Sequence, residues 1–145
     1  MLKRFESITL SEEDAVGFIE KMSPEEFLQM GVKSFQLYMG DQEVMKIWRI
    51  ISIERFRNDR ANTFFIEEII DKPISYQAAI FDGMMKKGLI RECDPVVLAR
   101  EFYSYMIFIY FRYFEVSSSD NPVDNPEIQK LIEEHMQFMA HAMQK

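Results

Sequence analysis

Apolar residues recur along this chain at steps of three and four, the period of an α-helix, and no run alternates apolar with polar as a half-buried strand would. Residues 2–10 open in mid-element, with Leu2, Phe5 and Ile8 at helical spacing and no capping residue before them. Ser11 ahead of Glu12, Glu13 and Asp14 then suits a helix start, a capping hydroxyl followed by carboxylates at the positive end of the helix dipole. That helix is predicted to end near Met22. Ser23-Pro24-Glu25-Glu26 is a stronger signal, combining an N-cap serine, a proline at the first helical position and the glutamate of a capping box. From it Phe27, Met30, Ser34, Phe35 and Tyr38 carry the stripe to a stop at Gly40. Asp41 can cap the next helix, predicted over 42–58 and deep in the fold. Val44, Met45, Ile47, Trp48, Ile51 and Phe56 keep its spacing, and Ile50 and Ile53 widen the stripe.

Residues 61–87 read as helix in two pieces, because Pro73 has no N–H to donate and disfavours helical backbone at Lys72. A kink or break is predicted there. The second piece closes on Lys86-Lys87-Gly88, cations in the last turn and then a glycine cap. Residues 117–122, Ser-Ser-Ser-Asp-Asn-Pro, form the one obvious loop. Arg55, Arg57 and Arg60 near the end of the 42–58 helix are read as cations at the negative helix end, diluted by Glu54 and Asp59.

The last two helices, about 95–115 and 126–143, open at Asp94-Pro95 and Asn125-Pro126 and carry more apolar surface than one chain can bury. A helix on a single core shows one apolar stripe, whereas Phe102, Tyr103, Tyr105, Met106, Ile107, Phe108, Ile109, Tyr110, Phe111, Tyr113 and Phe114 go round the whole cylinder. One face is therefore expected to meet this chain's core and another a second copy. The residues expected at that dimer interface are Phe108, Phe111, Ile128, Ile132, His135 and Met139. The uncharged run 102–111 is bracketed by Glu101 and Arg112 and is about half the roughly 20 residues that span a bilayer, so no membrane partner is expected.

A chain of 145 residues, 48% hydrophobic and 28% charged, is the size of one domain and able to build a real core. The net charge of −7 sets a repulsive average field toward phosphate backbones, so these residues are not expected to bind DNA themselves. The single Cys93 permits no internal disulfide and no cleavable signal opens the chain, which favours a cytoplasmic setting.

Candidate chemistry is sparse. His135 and His141 stand six residues apart, about 120° around a helix, and Ile132 occupies the place where a di-iron Glu-x-x-His motif needs its glutamate. A solvated or interface histidine is expected, and no metal. Cys93 precedes a helix start but has no identifiable base, and no phosphate loop, G-x-S-x-G or H-E-x-x-H occurs. Neither catalysis nor a cofactor is expected. The 11 methionines, mixed with Trp48, Phe and Tyr, instead suit an apolar ligand pocket, with Ser52, Ser104, Gln77 and tyrosine hydroxyls to orient its occupant.

The order Ser23-Pro24-Glu25-Glu26, then Trp48 to Arg57, then Lys87-Gly88-Leu89-Ile90 ahead of Asp94-Pro95-Val96-Val97-Leu98-Ala99 resembles the C-terminal domain of TetR-family transcriptional regulators over nearly the whole chain. The resemblance implies an all-α, multi-helix bundle that senses a small, mostly apolar effector. Its last two long helices would form a dimeric four-helix bundle with the same helices of a second subunit. It also implies residues 1–10 as the remnant of a linking helix, 11–145 as the ligand-binding and dimerisation domain, and DNA contact only through an N-terminal helix-turn-helix domain that these residues do not contain. Inward helical positions with apolar bulk or a hydroxyl nominate Phe35, Tyr38, Trp48, Ser52, Tyr76, Tyr103 and Met106 as ligand-binding. The bulk of residues 102–114 departs from relatives that carry small residues there. A helical homodimeric scaffold with no small-molecule ligand is the competing expectation, and an enzyme ranks third.

Overall fold

Side-chain caps set where the helices start. The computed structural model describes residues 21–114 and 125–145 together with Asp14 and Gly17, and the described residues are all-helical with no strand among them. The Ser23 hydroxyl accepts the Glu26 N–H at 3.2 Å and opens helix α1, Pro24–Gly40. Asp41 accepts the N–H groups of Glu43 and Val44 at 3.0 and 3.2 Å and opens α2, Gln42–Glu54. This helix stops four residues short of the predicted 58, because Asn58 must leave helical backbone to cap α3, Asp59–Phe64, by accepting from Arg60 and Ala61. The elements expected at 2–10 and at 11–22 lie outside the described residues except for Asp14 and Gly17, which are helical, and Lys21 and Met22, already in a turn. The loop expected at 117–122 also lies outside them.

At Pro73, where a kink or break is predicted, the backbone continues through a change of helical register. A π-helical segment, Phe65–Asp71, follows α3 directly and runs into α4, Lys72–Lys86, so that the Lys72 N–H donates five residues back to the Glu67 carbonyl. Proline at position 73 withdraws the donor that an α-helix would aim at the carbonyl of Ile69. A side chain supplies it: the Tyr103 hydroxyl donates to the Ile69 carbonyl at 2.5 Å from the facing helix. The continuous backbone thus rests on a wider turn before the proline and on a tertiary hydrogen bond, neither visible in local propensity.

Helix α4 ends as predicted on a glycine. Gly88 takes φ +69°, its N–H donates to the Met85 carbonyl at 2.9 Å and the Leu89 N–H reaches back to Met84 at 3.0 Å, the paired bonds of a Schellman turn. Asp94 then accepts the N–H groups of Val96 and Val97 to open α5, Pro95–Ile109, which passes into a second π segment, Tyr110–Phe114. Asn125 caps α6, Pro126–Met143, by accepting from Glu127. The Arg91 N–H donates to the Met143 carbonyl at 3.0 Å, tying the turn after α4 to the end of α6.

The core closes around Phe102. Helix α4 packs most extensively on α5, and α1 on α6. Phe81 of α4, fully buried, meets Phe27 of α1 edge-on at 5.9 Å and Phe102 of α5 at 6.0 Å, and Phe102 meets the His135 ring of α6 at 5.4 Å. A Cβ at Gly31 would stand 3.3 Å from the Phe102 ring, so the absence of a side chain in mid-helix lets α1 approach it. A glycine there costs the helix about 1 kcal/mol relative to alanine, which the close packing of Phe102 offsets.

Removing the Tyr103 hydroxyl should leave a buried carbonyl short of a donor, so Tyr103→Phe is expected to lower unfolding stability by about 1–3 kcal/mol in urea titration. In a Pro73→Ala background, where a backbone N–H is available again, the same change should cost measurably less. Equal losses in both backgrounds would show that the hydroxyl does not replace the donor missing at Pro73.

Candidate functional site

Spacing along α2 decides what it presents to the interior. Val44, Met45, Trp48 and Ser52 share one face and are buried, while Ile50 and Ile53, expected to widen that stripe, lie on the outer side and are 60% and 61% exposed. Phe56 is 82% exposed, because the chain has left the helix two residues earlier and no longer keeps its phase.

Two polar atoms on the inward face lack a hydrogen-bond partner among the described residues, the Trp48 indole Nε1 and the Ser52 Oγ. Both side chains are more than nine-tenths buried, at 7% and 5% exposure. Leaving such a group unpaired costs about 1–3 kcal/mol, so a pair of them one helical turn apart calls for an acceptor. Arg55 continues the same face, since steps of four and seven residues keep side chains within about 40° around the helix. Its guanidinium carbon lies 4.0 Å from the Phe65 ring centre and 5.1 Å from that of Phe56, and its buried Nε also lacks a partner among the described residues. Tyr110 meets Trp48 edge-on, ring centres 4.8 Å apart.

Phe65 and Tyr110 are the first residues of the two π segments. Such wide turns are uncommon and recur at functional sites. Here both deliver an aromatic ring to the inward face of α2. The arrangement offers hydrogen-bond donors in an aromatic surround, suited to holding a molecule with an acceptor and an apolar body. Gln77 on α4 carries a further buried nitrogen without a partner among the described residues.

The residues nominated as ligand-binding separate into different surroundings. Trp48 and Ser52 come together on α2, and Met106 is wholly buried. Phe35, Tyr38 and Tyr76 are half-buried against the same core. The Tyr103 hydroxyl is engaged with the Ile69 carbonyl, and burial, with Tyr38 close by, pushes its phenol well above the ordinary tyrosine range. Arg55 and Tyr110 were not among the nominated residues. The spacing of Trp48, Ser52 and Arg55 was the available signal for the first, whereas the second depends on a change of helical register that no local pattern marks.

The nominated interface residues divide too. Phe108 and Phe111 are 48% and 42% exposed, but Ile128, Ile132, His135 and Met139 are buried against this chain's own helices, and the exposed aromatic on α6 is Phe138. Counting apolar residues shows that α6 has a strong stripe. It does not tell which neighbour covers it, and here α1 and α5 do.

His135 differs most from expectation. It is buried, its Nε2 lies 3.0 Å from the Phe102 carbonyl oxygen, and its ring stacks on Tyr105 with centres 4.4 Å apart. In the neutral ring Nε2 carries the proton and donates it to that carbonyl. Burial lowers the histidine pKa, opposed in part by this hydrogen bond. His141 is exposed, as is Cys93. No group of three or more His, Cys, Asp or Glu that could hold a metal ion occurs among the described residues, and none of their helices is long and apolar enough to cross a membrane. No family model, no curated protein and no solved structure matches this chain.

Because burial depresses the His135 pKa in the fold, the unfolded chain takes up the proton first as pH falls below the ordinary value of 6.5. The histidine's contribution to stability is therefore whole above that value and lost as pH descends toward the folded pKa. Urea midpoints on either side of pH 6.5 should show this acid-side loss, and His135→Gln should reduce it. A midpoint that falls equally in the variant would show that the loss originates elsewhere.

Proposed function

We propose that this chain senses a small, mostly apolar effector and dimerises through its closing helices, the role of the C-terminal domain in TetR-like regulators. The observation that carries the reading is the pair of buried, acceptor-seeking groups on α2, Trp48 Nε1 and Ser52 Oγ, set beside Tyr110. A purely structural core has little reason to keep two such atoms, since each costs about 1–3 kcal/mol when unpaired. The all-helical build of the described residues and the exposed Phe108 on α5, Phe111 in the π segment after it and Phe138 on α6 support the second half of the reading.

The mechanism is a shift of population. An effector that fits one arrangement of the helices better than another moves the balance by the ratio of its two affinities. With a net charge of −7, the readout at DNA belongs to a separate DNA-binding segment, and this chain supplies sensing and pairing.

Trp48 is the only tryptophan, so its emission reports on the site directly. A library of small apolar compounds carrying a hydrogen-bond acceptor should yield members that change Trp48 emission, and Trp48→Phe should weaken those members by about threefold to tenfold, the value of one hydrogen bond. Binding that leaves both unaltered would remove the site from α2. Absence of any binder would favour the helical scaffold.

Pairing is tested separately. A stable dimer hides about 800 Å² or more on each partner, and sedimentation at micromolar concentration should give two chains per particle. Phe111→Glu combined with Phe138→Glu should shift the particle to one chain with its helical content unchanged. A single chain in the unmodified protein contradicts the pairing.

A further inference from the structure

We infer that the effector is an organic anion, an apolar body ending in a carboxylate, whose charged end is received by Arg55 while its body lies along Trp48 and Tyr110. The inference rests on the sensing role proposed above and adds the chemical class of what is sensed.

Arg55 carries the argument. As the C-cap of α2 it keeps helical backbone and continues the face of Trp48 and Ser52, so the three donors form a column at steps of four and three residues, about 10 Å long from the helical rise. None of the three has an acceptor for its buried N–H or O–H among the described residues. The neighbouring carboxylate of Glu54 is committed to Arg57 at 2.7 Å. No ion pair to Arg55 occurs among the described residues.

The guanidinium carbon lies against aromatic rings, 4.0 Å from the centre of Phe65 and 5.1 Å from that of Phe56. Its Nε has no acceptor among the described residues, and the planar fork of a guanidinium matches two carboxylate oxygens at once. The rest of the column suits the other end of such a molecule. Ser52 Oγ can donate to a carboxylate oxygen or to an oxygen further along, and the Trp48 and Tyr110 rings give apolar walls. The half-buried position of Arg55 places the charge at the edge of the core, where it keeps part of its solvation while the body of the ligand is covered.

Matched pairs of probes separate charge from shape. Octanoate and octanol, and phenylacetate and phenylethanol, are titrated into the whole protein and followed by Trp48 emission and by calorimetry. In the unmodified protein each acid should bind about tenfold or more tighter than its alcohol, the value of a hydrogen bond to a charged group. Arg55→Gln should erase that preference. Arg55→Lys, which keeps the charge and loses the fork, should retain only part of it. Circular dichroism of both variants checks that the helices remain.

Alcohols that match their acids, or a preference that survives in Arg55→Gln, would overturn the anion while leaving the α2 site standing. Probes that bind without changing Trp48 emission, or none that bind at all, would overturn the inference together with the site itself.

Discussion

The fold depends on one ring, Phe102, being reached from three helices. Phe81 meets it from α4, Gly31 lets α1 come close, and the imidazole of His135 tilts against it while taking its carbonyl oxygen as acceptor. Aromatic pairs of this kind add about 0.5–1.5 kcal/mol each beyond the area they bury. Their larger effect is geometric, because each contact fixes the approach of one helix to the same point on α5. Tyr105 extends the series by stacking on the outer side of His135.

With α1, α4 and α6 set by that ring, the backbone before Pro73 and beyond Ile109 has to adapt. It does so by widening into π turns at Phe65–Asp71 and Tyr110–Phe114. The Tyr103 hydroxyl supports the first of these by serving the Ile69 carbonyl. The widened turn before the proline brings Phe65 to Arg55 and the second brings Tyr110 to Trp48, so both furnish the inward face of α2 with rings.

Four helix starts were legible in the residues because their signals are local. Ser23, Asp41, Asp94 and Asn125 each cap the helix they precede, and Gly88 ends α4 in the left-handed conformation its type permits. Continuity through Pro73 was not legible, since it rests on Tyr103, thirty-four residues from the carbonyl it serves. The assignment of faces was half legible. Trp48 and Ser52 point inward as their spacing implies, but the stripe Ile128, Ile132, His135 and Met139 could equally have faced a partner, and only the position of α1 and α5 decides that it faces home. Arg55 was obscured by its neighbours, since three arginines near a helix end read most simply as cations serving the dipole.

A ligand on this face requires that the α2 donors be sealed from water with no acceptor from the protein, and the indole N–H of Trp48 reports this by itself. NMR of that proton in the free protein should show slow exchange with solvent at a resonance position typical of an indole without a hydrogen bond. Rapid exchange, or the position of a strongly bonded indole, would mean that water or the chain already satisfies it, and the case for a ligand on this face would be lost.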